Sequence, residues 1–252
     1  MSGVLSMMRL VALALAVSSA VACGSNFKPE TFANPQSLYE ASVAASERGD
    51  CGDAKRGFER LLFELAARDQ RVPDSRFLLA ECHFSDGEYL EASREFRRVA
   101  EEHADHERAP LALLRAGDAL ARLWRRPELD PTYGQNALST YGELLRRYPQ
   151  SEAAIQGRDR AAVLADQFAL KDLKTGNFYL RLRAYDSAIL YFKNVVALYP
   201  ESPHAAKALV RLVDVYRRIG YEEEATETCT HLRRFFPAAD GVDQRCPVPA
   251  AP

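Results

Sequence analysis

Apolar positions between residues 37 and 237 follow a helical period, and one short pattern recurs five times. An alanine is followed four residues on by an aromatic or a cysteine, then three further on by an aliphatic. The instances are Ala54, Phe58, Leu61; Ala92, Phe96, Val99; Ala137, Tyr141, Leu144; Ala188, Phe192, Val195; and Ala225, Cys229, Leu232. Positions i, i+4 and i+7 share one face of an α-helix. The small alanine lets a neighbouring helix come close, and the large side chain fills the gap that remains. In the last three units a proline follows (Pro149, Pro200, Pro237) and stops the helix. No stretch of this region sustains a period of two, so no sheet is expected. Residues 152–182 lack proline and predict one long helix.

This order resembles the second half of a tetratricopeptide (TPR) unit, whose period is about 34. The alanines here are 38, 45, 51 and 37 residues apart, which implies longer helices and inserts. One insert, 125–132 (RRPELDPT), holds two prolines and must be a loop. TPR units place a small residue twelve positions before the repeated alanine. Ser42, Ala80 and Gly176 satisfy this, Val213 does not, and the insert displaces the third unit. The fold expected is an all-α, TPR-like α-solenoid of about five helical hairpins over 37–237. Residues 238–252, with three prolines, read as a loose tail.

The N-terminus reads differently. Arg9 is the only charge before Lys28, and Leu10 to Ala22 is almost continuously apolar. That run is shorter than the roughly 20 residues that span a bilayer. A basic residue, a short apolar run and small residues make a secretory signal over 1–22. Its end, Ala20-Val21-Ala22-Cys23-Gly24, resembles a bacterial lipobox, with alanine at 20 where leucine is usual. The resemblance implies lipidation, palmitate included, at Cys23, and Gly24 resembles a sorting signal for the outer membrane. Ala20-Val21-Ala22 also reads as an ordinary cleavage site, which would leave a soluble periplasmic protein. Residues 23–36 then form a flexible tether, and the lipid is the only membrane contact expected.

Composition narrows the function. With 33 basic and 35 acidic residues the chain carries a net charge of -2, so nothing marks a nucleic-acid binder. No G-x-S-x-G, H-E-x-x-H or Walker pattern is present, so no enzyme and no cofactor are expected. His103, Asp105 and His106 lie close together but fall where a helix should turn, which favours a solvated loop over a metal site. Arginine pairs at 97–98, 146–147, 217–218 and 233–234 could grip acidic partners. They could equally offset the dipoles of helix C-termini. Beyond Cys23 stand Cys51, Cys82, Cys229 and Cys246, an even number that suits disulfides in an oxidising periplasm. Of three connectivities we favour 51–82, across two helices that should pack, and 229–246, where the tail folds back. Four buried free thiols are the alternative.

Several blocks together resemble the BamD lipoproteins of the outer-membrane β-barrel assembly machinery. They are Leu38-Tyr39-Glu40-Ala41; Leu129-Asp130-Pro131-Thr132 with Tyr148-Pro149-Gln150-Ser151; and Arg183-Ala184-Tyr185 with Tyr199-Pro200-Glu201-Ser202. The resemblance covers residues 23 to about 237. The Tyr-Pro-x-Ser element is missing after units one and two, where 71–75 and 103–106 stand instead. The resemblance implies a lipid-anchored subunit on the periplasmic face of the outer membrane. Its C-terminal units would dock on the periplasmic domains of the barrel insertase, and its N-terminal units would bind unfolded outer-membrane proteins. A TPR scaffold for pilus, competence or cell-wall machinery is the competing reading. A TPR stack leaves a concave face lined by its first helices. Helical phase places Tyr39, Val43, Phe77, Glu81 and Phe84 toward that face as a candidate substrate groove, with Phe77 and Phe84 as core residues the alternative.

Overall fold

The computed structural model describes residues 27–247. The signal segment and Cys23 lie outside the described residues. Eleven α-helices follow one another with no strand among the described residues. Ten form five antiparallel hairpins: α1 (Pro35–Glu47) with α2 (Cys51–Glu64), α3 (Arg71–Ser85) with α4 (Tyr89–Glu102), α5 (Ala109–Leu123) with α6 (Thr132–Arg147), α7 (Glu152–Arg181) with α8 (Tyr185–Leu198), and α9 (Pro203–Arg218) with α10 (Glu222–Phe235). A short α11 (Val242–Arg245) closes the end. Each helix packs on the next, and first helices also meet across units, α1 on α3, α5 on α7 and α7 on α9. First helices drawn together in this way make their side the inside of the curve. No described helix is long and apolar enough to cross a membrane.

The repeated stripe is the core. All five alanines are at most 1% exposed, and Phe58, Phe96, Tyr141 and Phe192 are equally buried. Burying one such aromatic contributes roughly 1.5–3 kcal/mol. Each large ring needs a small residue opposite. A Cβ on Gly176 would stand 2.6 Å from the Phe192 ring, and one on Gly117 would stand 2.5 Å from Tyr141. Gly117 is the small residue of the third unit. It sits on α5, and the loop at 125–132 separates it from its aromatic.

The joints between units have a physical grammar. In Tyr-Pro-x-Ser the tyrosine ends one helix, the proline prevents continuation, and the serine caps the next helix. Ser151 accepts from Ala154 N–H and Ser202 from His204 N–H, each at 3.1 Å. Within hairpins, Gly49, Gly87 and Gly220 supply the left-handed turn residue, and Arg183 takes the same role in the fourth hairpin at φ 59°.

Two expectations are corrected. The stretch expected as a tether is already part of the body from Phe27 on: Phe27 and Phe32 pack against the first hairpin, around a 3-10 turn at Pro29–Thr31. The tail is not loose over 238–247. Val242 and Cys246 are each 2% exposed, packed against α9 and α10.

Candidate functional site

The inner face carries a ladder of polar contacts between α3 and α5. Asp74 pairs with Arg108, and Glu81 takes Arg115 by two parallel hydrogen bonds of 2.7 Å each. The rungs lie seven residues apart on each side, two turns along one face, with Arg108 at the N-cap of α5. Each guanidinium also covers an aromatic ring: Arg108 lies 4.9 Å from Phe77, and Arg115 lies 4.0 Å from Phe84. Phe77 and Phe84 repeat the same seven-residue step. Burial disfavours the Arg115 charge, but Glu81 and Asp118 together outweigh it and hold the guanidinium above its ordinary pKa. A planar cation stacked on a ring and gripped by a fork has few ways to move. The surface it presents is therefore held in one shape.

Beside this ladder lies a hollow of about 340 Å³. Phe84 and Arg115 form one wall, Trp124 and Tyr141 the floor, and Arg160 and Val163 of α7 the far wall. The Tyr141 hydroxyl donates to Asp118 at 2.8 Å. Burial, then the Asp118 charge, pushes the Tyr141 pKa well above the phenol range, so this hydroxyl stays a donor at every physiological pH. Arg115 and Arg160 flank the same Asp118 carboxylate at 3.7 and 3.6 Å. Trp124 is 3% exposed, and its indole N–H finds no acceptor among the described residues. Val163 on the rim is 63% exposed. Apolar surface beside fixed cations and donors suits a polypeptide segment rather than a small metabolite.

The five candidate groove residues divide. Glu81 and Phe84 belong to the ladder. Tyr39 and Val43 are half-buried against the first hairpin. Burial and the Asp74 carboxylate raise the Tyr39 hydroxyl pKa. Phe77, placed on the open face by helical phase, is core at 4% exposure: Phe96 meets it edge-on at 5.3 Å and Arg108 covers it. Arg108, Arg115, Asp118 and Trp124 escaped the sequence reading. The two arginines leave one trace, a constant offset of 34 between Asp74 and Arg108 and between Glu81 and Arg115, the TPR period.

The remaining candidates are structural. His103 and His106 sit in the turn between α4 and α5. Among the described residues no group of three His, Cys, Asp or Glu is placed to hold a metal. Arg97 reaches Glu143 and Thr140, and Arg147 reaches Glu143 and the Ala100 carbonyl, so these arginines tie α4 to α6. Arg217 donates to the Arg245 carbonyl and holds α11. Cys51 is bonded to Cys82 and Cys229 to Cys246, with Cα atoms 5.1 and 5.4 Å apart.

Comparison with known proteins agrees with this architecture. The profile of YfiO, described as an outer membrane lipoprotein, matches residues 32–232. The outer membrane protein assembly factor BamD of Caulobacter vibrioides is 24% identical over 237 residues, covering 90% of this chain and 75% of that protein. The BamD of Neisseria meningitidis serogroup A is 22% identical over 245 residues, covering 90% of each. A TPR repeats protein from Bacteroides fragilis shares the fold at a TM-score of 0.51 and 13% identity, covering 85% of this chain and 97% of the other. With a family match over most of its length, carried on a TPR stack, this chain belongs to the YfiO family of outer membrane lipoproteins.

Proposed function

We propose that this chain is a non-catalytic subunit of the machinery that assembles proteins into the outer membrane. In this reading Cys23 carries the lipid that holds it on the periplasmic face. Units three to five dock on the periplasmic domains of the barrel insertase. The inner face from unit one to α7, the first helix of unit four, receives segments of unfolded outer-membrane proteins. The observation that carries the reading is the pre-shaped inner face, where Arg115 is locked on Phe84 by Glu81 beside an open apolar rim. The family membership and the BamD names of the relatives support the assembly role.

The test uses the full lipoprotein in its membrane. A photo-crosslinking residue at Val163 should capture outer-membrane proteins during their synthesis, and mild detergent extraction should co-purify the insertase. Arg115→Glu should cut the crosslinks several-fold while the insertase stays bound. Absence of the insertase, with pilus or cell-wall proteins in its place, would replace this reading by the scaffold one.

A further inference from the structure

A second hollow opens on the inner face further along the stack, between α7 and α9. Its volume is about 630 Å³, and Lys174 and Arg181 of α7 and Arg211 and Arg218 of α9 line it. All four side chains are exposed. Two carboxylates answer them: Glu128 pairs with Lys174, and Asp214 lies 3.6 Å from Arg211 but also takes Arg245 at 2.7 Å. Arg181 and Arg218 have no carboxylate partner among the described residues. A helix C-terminus by itself attracts one cation. That accounts for Arg181 and Arg218 singly, but Lys174 and Arg211 lie two turns earlier, beyond the reach of the dipole, and all four face one space. In a chain with a net charge of -2 this local excess is specific to the place.

We propose that this hollow is a docking site for an acidic, extended segment of a partner protein. The cations stand on two walls, α7 and α9, each wall spanning roughly 10 Å between its two charges. An extended chain rises about 3.3 Å per residue and points successive side chains to opposite sides. A segment with acidic residues a few positions apart therefore meets both walls at once. Two arginines without a carboxylate partner, Arg181 over the Phe178 ring and Arg218, offer planar, two-pronged donors to carboxylates. The site is separate from the Arg115 hollow, so its failure would leave the proposed substrate face untouched.

The test uses the full chain with Cys23→Ser, so that no anchor brings lipid to the assay. A short labelled peptide of glutamate, serine and glycine is titrated by fluorescence anisotropy against its glutamine counterpart. The acidic peptide should bind at least about tenfold more tightly, and the difference should fade as salt shortens the screening length. The double variant Arg181→Glu, Arg218→Glu should lose that preference, while its helical circular dichroism and thermal unfolding match those of the wild type and show that it is folded. Arg94→Glu, a reversal on exposed α4, should change nothing. Equal binding of the acidic and neutral peptides, or equal loss with Arg94→Glu, would overturn the proposal. So would capture by vesicles rich in anionic lipid with the same arginine dependence, since the hollow would then be a membrane-facing patch.

Discussion

Gly176 lies under the ring of Phe192, which is fully buried and cannot swing aside. Alanine there would gain about 1 kcal/mol of helix propensity. Its methyl would meet two ring carbons at 2.6 and 2.7 Å, and overpacking of this kind costs typically about 1–3 kcal/mol. The second effect wins, so Gly176→Ala should destabilise the protein by up to about 2 kcal/mol. Gly142 is the contrasting case. It is interior to α6, but a Cβ there meets only the tip of Arg146 at 3.4 Å. Gly142→Ala should therefore keep the propensity gain and stabilise by up to about 1 kcal/mol. Urea denaturation of both variants with disulfides intact decides it. The same sign for both would mean that the ring-on-glycine contact does not set the spacing of the helices.

At the scale of the element, the start of α3 depends on Asp69. Its carboxylate accepts from the Arg71 backbone N–H at 3.0 Å and from the Arg71 guanidinium at 2.8 and 2.6 Å. Those bonds hold the Asp69 pKa down at about 2. A depressed folded pKa contributes stability that is present above the unfolded value near 4 and lost as pH falls through the folded one. The stability gap between the wild type and Asp69→Asn should thus be constant near neutrality and shrink below about pH 4. A gap that stays flat down to pH 3 would refute the pairing as a source of stability. What the sequence made legible at this scale was the apolar stripe, because i, i+4, i+7 repeats leave a periodic trace. The ladder left none that periodicity detects: Asp74, Glu81, Arg108 and Arg115 are polar residues in helices full of polar residues. Their meaning lies in the offset between helices. Gly117 was hidden by the loop that separates it from Tyr141. Phe77 was misplaced because a first helix in a stack turns one flank to the open face and the other to its neighbours, and helical phase alone does not resolve a residue on the border. The packing of 238–247 rests on Val242 and Cys246, too few residues to form a pattern.

For the whole molecule, a stack has two weak points by construction. Each hairpin gains most of its stability from its neighbours, and the end hairpins have only one. The two disulfides lie at those ends. Cys51–Cys82 ties α2 to α3 and so the first hairpin to the second, over a separation of 31 residues. Cys229–Cys246 ties α10 to the segment holding α11, over a separation of 17. Cys229 also stands where the other four units carry an aromatic, so this bond fills the place that a ring fills elsewhere. Loops of these sizes correspond to roughly 3–4 kcal/mol of chain entropy each. The centre, where α5 to α8 have neighbours on both sides, has no such staple. Loss of a disulfide should therefore fray one end and spare the middle. In hydrogen exchange, Cys246→Ser should speed exchange through 238–247 and α10, Cys82→Ser should do so through α1 and α2, and α5 and α6 should be unchanged in both. Trypsin should cut at Arg245 in the first variant and not in the oxidised protein, because Arg245 is otherwise held by Asp214 and the Arg217 guanidinium. Non-reduced peptide mapping of exported protein fixes the starting state, which should show both bonds. If either variant instead loses protection evenly from end to end, the stack unfolds as a single cooperative body. The disulfides would then serve its overall stability and not its ends.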